Sequence, residues 1–235
     1  MENGLSKIQF EHELNQRYPD QAEALSNAFE HYLKRLVDVN TVMNLTAITD
    51  ANEIREKHFL DCLLIEPFIP KNSSVADVGS GAGFPGIVLA LARPDCQMTL
   101  IEPTTKRCTF LSQMKEELKL NNLHILNRRA EECEDQKESF DVVTARAVAN
   151  LSVLCELCIP LVKQGGQFIA MKGSSAHEEL ESTHSALTEL KLPKPLINEH
   201  TLPHAGVRIN LVFTKTQACP SRYPRAYRLI KKNPL

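Results

Sequence analysis

Apolar residues return every three or four positions through the first part of the chain, which predicts helices there. Residues 5–39 are predicted to form two helices with a break near Pro19, because proline interrupts helical hydrogen bonding. A third helix is predicted over residues 52–65, after a loop at 41–50. We therefore expect a helical extension over residues 1–70, packed on whatever follows.

From Ser73 onward short apolar strands alternate with helices, which indicates a mostly parallel sheet covered on both faces. The predicted strands cover residues 74–78, 97–102, 123–126, 140–144 and 166–171. The predicted helices between and after them cover residues 87–92, 106–120, 151–162 and 176–190. Two late strands, 196–202 and 208–215, are too close for a crossover and should pair antiparallel. Residues 71–235 are thus expected to form an α/β core with a seven-stranded sheet, which together with the extension makes a single globular unit.

The composition is that of a globular protein, with 235 residues, 43% hydrophobic and 24% charged. No apolar run approaches the roughly 20 residues that a membrane helix needs. The first residues lack the basic and apolar segments of a signal peptide. These features predict a cytoplasmic protein.

The seven cysteines do not form a pattern that predicts disulfides, because their number is odd and they are spread through apolar segments. Cys155 and Cys158 have the CxxC spacing of metal or redox sites. They lie within a predicted apolar helix, and no second ligand pair stands nearby in sequence. We interpret them as buried, reduced core residues and predict no metal.

The strongest local motif is the glycine-rich segment 77–86, which follows a predicted strand and opens a helix. Gly79 and Gly81 would let a ligand lie against bare backbone. The stretch 81–86 also matches GxGxxG, the dinucleotide motif, so an NAD-dependent oxidoreductase is an alternative. Asp77 favours S-adenosylmethionine, since a carboxylate there would repel a pyrophosphate. It could orient the glycine loop or meet the cationic end of that cofactor.

Acidic and small residues end the next two strands. Glu102 is placed to accept both ribose hydroxyls of an adenosine cofactor. Ala130 and Glu131 follow the third strand, where backbone groups could meet the edge of the adenine.

Basic residues end the two strands after that. Arg146 is costly at such a position unless paired, and its candidate partners are the cofactor carboxylate, Asp77 or an RNA phosphate. Lys172 holds the equivalent position on the next strand. His58 and Asp61 are three residues apart on the third predicted helix, and spacing alone favours an ordinary surface pair.

The end of the chain is strongly basic, although the net charge is −2. No acidic residue follows Glu199, which suggests contact with a polyanion or else a solvated tail. The candidate RNA contacts are Arg222, Arg225, Arg228, Lys231 and Lys232. We expect deletion of residues 222–235 to reduce RNA affinity more than cofactor affinity.

With these segments in hand, the chain resembles the bacterial small-subunit (16S) ribosomal RNA guanine-N7 methyltransferases, also called glucose-inhibited division protein B. The resemblance rests on residues 44–48, 57–61, 77–86, 100–102, 106–111, 129–131, 144–147 and 171–173. Gly-Phe-Pro-Gly within 77–86 together with Thr-Ala-Arg-Ala at 144–147 is the most specific part. The chain departs from the family at 226–230, where the family has a Gly-Thr-Pro-type turn.

The resemblance implies a Rossmann-like fold, S-adenosylmethionine as cofactor, and a guanine of the small-subunit RNA as substrate. It also places five residues at cofactor-contacting positions: Gly79, Phe84, Ala130, Glu131 and Arg146. Because guanine N7 carries a free lone pair, in-line attack needs no general base, and we assign no proton-transfer residue. Arg146 and Lys172 are expected to position cofactor and RNA. A non-catalytic RNA-binding module on the same fold is the second alternative, and we expect a monomer.

Overall fold

A twisted seven-stranded sheet forms the centre of the protein, in a computed structural model that describes residues 3–235. The strand order is β3-β2-β1-β4-β5-β7-β6; the first five strands in this order are parallel, and β7 and β6 complete the sheet antiparallel. The strands are β1 (Ser74–Val78), β2 (Gln97–Ile101), β3 (Leu123–Leu126), β4 (Phe140–Arg146), β5 (Val162–Lys172), β6 (Leu196–Leu202) and β7 (Gly206–Thr214). This is the predicted Rossmann-like sheet with its C-terminal hairpin.

Helices cover both faces of the sheet, because its central strands are apolar on both sides. They are α1 (Lys7–Arg17), α2 (Ala22–Met43), α3 (Ala51–Ile54), α4 (Asp61–Leu63), α5 (Gly86–Ala92), α6 (Thr105–Glu117), α7 (Leu151–Cys158), α8 (Ala176–Glu181), α9 (His184–Glu189) and α10 (Tyr227–Lys232). Helices α1 to α6 and one face of the sheet form one buried apolar cluster. Helices α7 to α10 and the opposite face form a second one. Within residues 3–235 no helix is long and apolar enough to cross a membrane.

The first three predicted helices form where the apolar spacing places them. The capping box of Ser6 and Gln9 begins α1, and α2 starts at Ala22, beyond Pro19. The third is less regular than predicted, because α3 passes through a π-helical segment, Arg55–Leu60, into α4.

Two predicted helices end earlier than their apolar patterns suggest. The helix expected over 151–162 stops at Cys158, and Val162 already belongs to β5, because Pro160 lacks the N–H that would continue the helix. The helix expected over 176–190 is two helices, α8 and α9. At the break, the hydroxyls of Ser182 and Thr183 both donate to the carbonyl oxygen of Glu179, at 2.8 and 2.5 Å.

Candidate active site

The glycine-rich loop leaves β1 at the carboxyl edge of the sheet and is held from beneath by Asp77. Only 2% of Asp77 is exposed; Oδ2 accepts a hydrogen bond from the Gly86 amide at 3.0 Å, and Oδ1 accepts one from the Thr144 hydroxyl at 3.3 Å. Burial raises the pKa of Asp77 to about 6, against these hydrogen bonds. Two roles were predicted for Asp77, and the hydrogen bond to the Gly86 amide corresponds to the first, which is to orient the glycine loop.

Two glycines of the loop have neighbours that leave no space for a side chain. Gly79 has φ +72°, and a Cβ there would lie 2.5 Å from a methyl of Val148. Gly83 has φ +105°, and a Cβ there would lie 2.7 Å from the Tyr32 hydroxyl. Only glycine combines this backbone conformation with such close neighbours.

The N-terminal helices support the same loop from the other side. The hydroxyl of Tyr32, a buried residue of α2, donates to the Ala82 carbonyl oxygen at 2.5 Å. The Phe84 ring lies 5.5 Å from the Tyr32 ring and stacks on the His58 imidazole at 4.5 Å. The helical extension therefore fixes the loop conformation, which the sequence did not indicate.

A first cleft, of about 250 Å³, opens between the glycine loop and the ends of β2 and β3. It brings together four of the predicted site residues: Gly79, Glu102, Ala130 and Glu131. The Glu102 carboxylate accepts hydrogen bonds from the Gly81 amide at 2.9 Å and from the Thr104 amide at 2.8 Å. Apolar side chains complete the lining, among them those of Val78, Ile101, Val148 and Leu157.

A second cleft, of about 570 Å³, opens at the ends of β4 and β5 and is strongly charged. Its charged lining residues are Asp61, Arg146, Lys172, Glu179 and Arg208. Lys172 donates to the Ala149 carbonyl oxygen at 2.8 Å and to Glu179 at 2.7 Å, so it joins β5 to the loop after β4.

Arg146 has a partner that the sequence did not predict. Its guanidinium donates to Asp61 at 3.0 Å and to the Lys57 carbonyl oxygen at 3.1 Å, and lies over the Phe84 ring at 4.9 Å. Among the described residues its carboxylate partner is Asp61, and not Asp77. Asp61 also pairs with Arg208 at 3.2 Å.

His58 and Asp61 are therefore not an ordinary surface pair, and that interpretation was wrong. Asp61 is 6% exposed, and both side chains face Arg146. Burial and the neighbouring Arg146 lower the pKa of His58 to about 3, so its imidazole is neutral. Its Nδ1 lies 3.2 Å from the Arg146 guanidinium and 3.1 Å from the Lys57 carbonyl oxygen, and its Nε2 lies 2.9 Å from the Thr46 hydroxyl, so both ring nitrogens have polar partners.

The two clefts meet at the loop that follows β4. Ala147 and Val148 line both of them, and Ala147 has a left-handed φ of +56° that carries the chain between the two. The Val148 side chain lies against Gly79, so the glycine loop and this loop touch.

The C-terminal segment is folded onto α7 and is not a free tail. Glu156 of α7 is fully buried and binds Arg225 through the backbone amide at 2.9 Å and the guanidinium at 2.7 and 2.6 Å. Arg225, predicted to contact RNA, thus makes an internal ion pair. Arg222 pairs with Glu189 on the surface, while Arg228, Lys231 and Lys232 are exposed.

Several residues of the clefts were missed as site residues from the sequence, among them Asp61, Arg129, Glu179, Arg208 and Tyr227. The CxxC residues, by contrast, lie where predicted. Cys155 and Cys158 are fully buried in α7, and burial raises the pKa of Cys155 to about 12.

Comparison with known proteins identifies the family. The profile described as GidB, rRNA small subunit methyltransferase G, matches residues 25–203. The chain belongs to the rRNA small subunit methyltransferase G family. The family member of Oceanobacillus iheyensis is 41% identical over 97% of this chain and 98% of its own length. That of Mycoplasma capricolum is 42% identical over 89% and 91%.

Solved structures agree with the family at the level of the fold. A geranyl diphosphate C-methyltransferase from Streptomyces coelicolor, solved with S-adenosyl-L-homocysteine, superposes with a TM-score of 0.53. The alignment covers 66% of this chain and 78% of that one, at 10% identity. This chain thus shares the fold of that methyltransferase.

Proposed function

We propose that this protein transfers a methyl group from S-adenosylmethionine to N7 of a guanine in small-subunit ribosomal RNA. The observation that carries the proposal is the meeting of two clefts at Ala147 and Val148. Methyl transfer needs donor and acceptor side by side and in line, and two adjoining clefts at the carboxyl edge of a parallel sheet supply this.

The first cleft fits the adenosine part of the cofactor. Gly79 offers bare backbone, and Glu102 offers a carboxylate at the end of β2, where a ribose is bound in such folds. The apolar lining, including Ile101 and Leu157, suits a flat base. When bound, S-adenosylmethionine supplies an electrophilic methyl on a sulfonium.

The second cleft fits the acceptor. Guanine N7 is a hydrogen-bond acceptor without a proton, so no residue has to remove one. Arg146, Lys172 and Arg208 add positive charge that could hold the RNA backbone. Their own partners, Asp61 and Glu179, keep these side chains in fixed positions, so the cleft orients the guanine rather than exchanging protons with it.

The acceptor becomes cationic as the methyl is transferred. Carboxylates close to the reacting base would stabilise this charge, and Asp61 and Glu179 both line the second cleft. The exposed cations of the C-terminal segment, Arg228, Lys231 and Lys232, extend a surface that RNA phosphates could contact. Ribosomal RNA as substrate would place the enzyme in the bacterial cytoplasm.

The test is transfer of radiolabelled methyl to small-subunit RNA and to small-subunit particles, followed by identification of the modified nucleoside. We expect 7-methylguanosine. Another methylated nucleoside would overturn the guanine-N7 assignment, and lack of transfer to either substrate would support the non-catalytic RNA-binding alternative. Calorimetry with S-adenosylhomocysteine and with NAD distinguishes the methyltransferase from the NAD-dependent oxidoreductase. We expect S-adenosylhomocysteine to bind and NAD not to bind.

A further inference from the structure

We propose that Tyr227, from the C-terminal segment, forms one wall of the adenine site and sets the affinity for the cofactor. The proposal rests on the proposed function, because it takes the first cleft as the adenosine site. Tyr227 lines that cleft together with Ile101, Ala130 and Leu157. Among the described residues that line it, Tyr227 is the single aromatic.

The position of Tyr227 is set by buried contacts on both sides of it. Two residues before it, Arg225 is bound to the buried carboxylate of Glu156, and its guanidinium also donates to the Asn233 carbonyl oxygen at 3.0 Å. Three residues after it, Ile230 is fully buried against the α7 face of the sheet. The ring is therefore held in the cleft by the protein itself.

Arg129, which lines the same cleft, contacts the Tyr227 ring. Its guanidinium carbon lies 4.9 Å from the centre of the Tyr227 ring, an ordinary cation–π distance. Arg129 directly precedes Ala130 and Glu131, which are predicted to meet the adenine edge. The cation–π pair thus connects the C-terminal segment to the backbone that borders the base.

An aromatic side chain at this place suits adenine, because a base stacks on any aromatic ring. Through Tyr227 the C-terminal segment thus serves cofactor binding as well as any contact with RNA.

The experiment is calorimetric titration of S-adenosylhomocysteine, without RNA, into the wild-type protein and four variants. Tyr227→Ala and Tyr227→Leu should each weaken binding about tenfold, the order expected for one base–aromatic stack. Tyr227→Phe keeps the ring and should bind within about twofold of wild type. Leu229→Ala is the matched control, since this neighbour on the same helix is 52% exposed, and it should change nothing.

Adenosine alone should show the same loss in Tyr227→Leu, because the contact is with the base. Binding of either ligand by Tyr227→Leu within twofold of wild type would overturn the inference. Should Tyr227→Ala not fold, the Leu and Phe variants still decide between a ring contact and simple filling of space. Failure of the wild-type protein to bind S-adenosylhomocysteine would instead overturn the proposed function.

Discussion

Arg146 is the residue on which most contacts of the second cleft converge. It joins Asp61, His58 and the backbone of Lys57, and covers the Phe84 ring of the glycine loop. A change at this one side chain therefore disturbs both the acceptor cleft and the loop beside it.

Replacing Arg146 by Ala should lower kcat/KM for methyl transfer by about 100-fold, the cost of misplacing reacting groups by about 1 Å. The measurement is steady-state transfer to small-subunit RNA. Arg35→Ala, which removes a surface pair with Glu117, is the control and should leave the rate as it is. Unchanged kinetics in Arg146→Ala would refute the positioning role.

His58 makes a second prediction, about stability and pH. Its pKa is about 3 in the folded protein and about 6.5 when unfolded, so only the unfolded chain takes up the proton between these values. The stabilisation by neutral His58 is thus complete above about pH 6.5 and is lost as the pH falls towards 3. His58→Gln has no such proton, so its stability deficit relative to wild type should shrink by about 2 kcal/mol between pH 8 and pH 5. Urea unfolding at both values measures this, and a deficit that is the same at pH 8 and pH 5 would contradict it.

Residue spacing brought Gly79, Glu102, Ala130 and Glu131 to one edge of the sheet, because they lie at or after strand ends whose order can be derived from the chain, and the four line the first cleft. It failed for Asp61, because the distinction between a surface pair and a buried cluster depends on Arg146, 85 residues away. The three-residue spacing of His58 and Asp61 is the same in a surface pair and in a buried cluster. Only the packing of the third helix on β4 decides between them.

At the level of elements, one buried ion pair fixes the segment that leads into α10. The carboxylate of Glu156 has no exposed surface, and Arg225 is its partner through both the backbone and the side chain. The sequence suggested RNA contact for Arg225, because a basic run gives no sign of which member turns inward to a carboxylate 69 residues earlier.

Arg225→Ala should destabilise the protein by about 3 kcal/mol, because it leaves a buried carboxylate without its charge partner. Urea unfolding gives the change in free energy. Arg222→Ala is the control: that residue pairs with Glu189 while 66% of its side chain is exposed, so its loss should leave the free energy of unfolding nearly unchanged. Adding Glu156→Gln to Arg225→Ala should recover part of the loss, and an equal effect of both single arginine variants would contradict the prediction.

At the level of the whole molecule, α10 carries three exposed cations, Arg228, Lys231 and Lys232, on the same short helix as Tyr227, which lines the first cleft. Deletion of residues 222–235 would remove Tyr227 and Arg225 together with the charges, so it cannot separate RNA affinity from cofactor affinity. Neutralising the exposed charges of α10 alone is the sharper test.

The triple variant Arg228→Gln, Lys231→Gln, Lys232→Gln should flatten the slope of log affinity for RNA against log salt by about 2 to 3, since each phosphate contact adds about 0.7–0.9. Filter binding across a salt series measures the slope. The control triple changes three exposed lysines that precede β1, β3 and β4, namely Lys71, Lys119 and Lys137. Equal slopes for the two triples would show that α10 is not the RNA contact.

The small wall between the two clefts also bears on inhibitor design. Ala147 and Val148 are all that the two linings share, and neither side chain is large. A synthetic molecule that joins an adenosine to a purine by a short linker would have to pass only over these two residues. Because each half then holds the other at high effective concentration, such a compound should bind far more tightly than its separate parts. Its selectivity would come from the charged acceptor side, where Asp61 fixes two arginines.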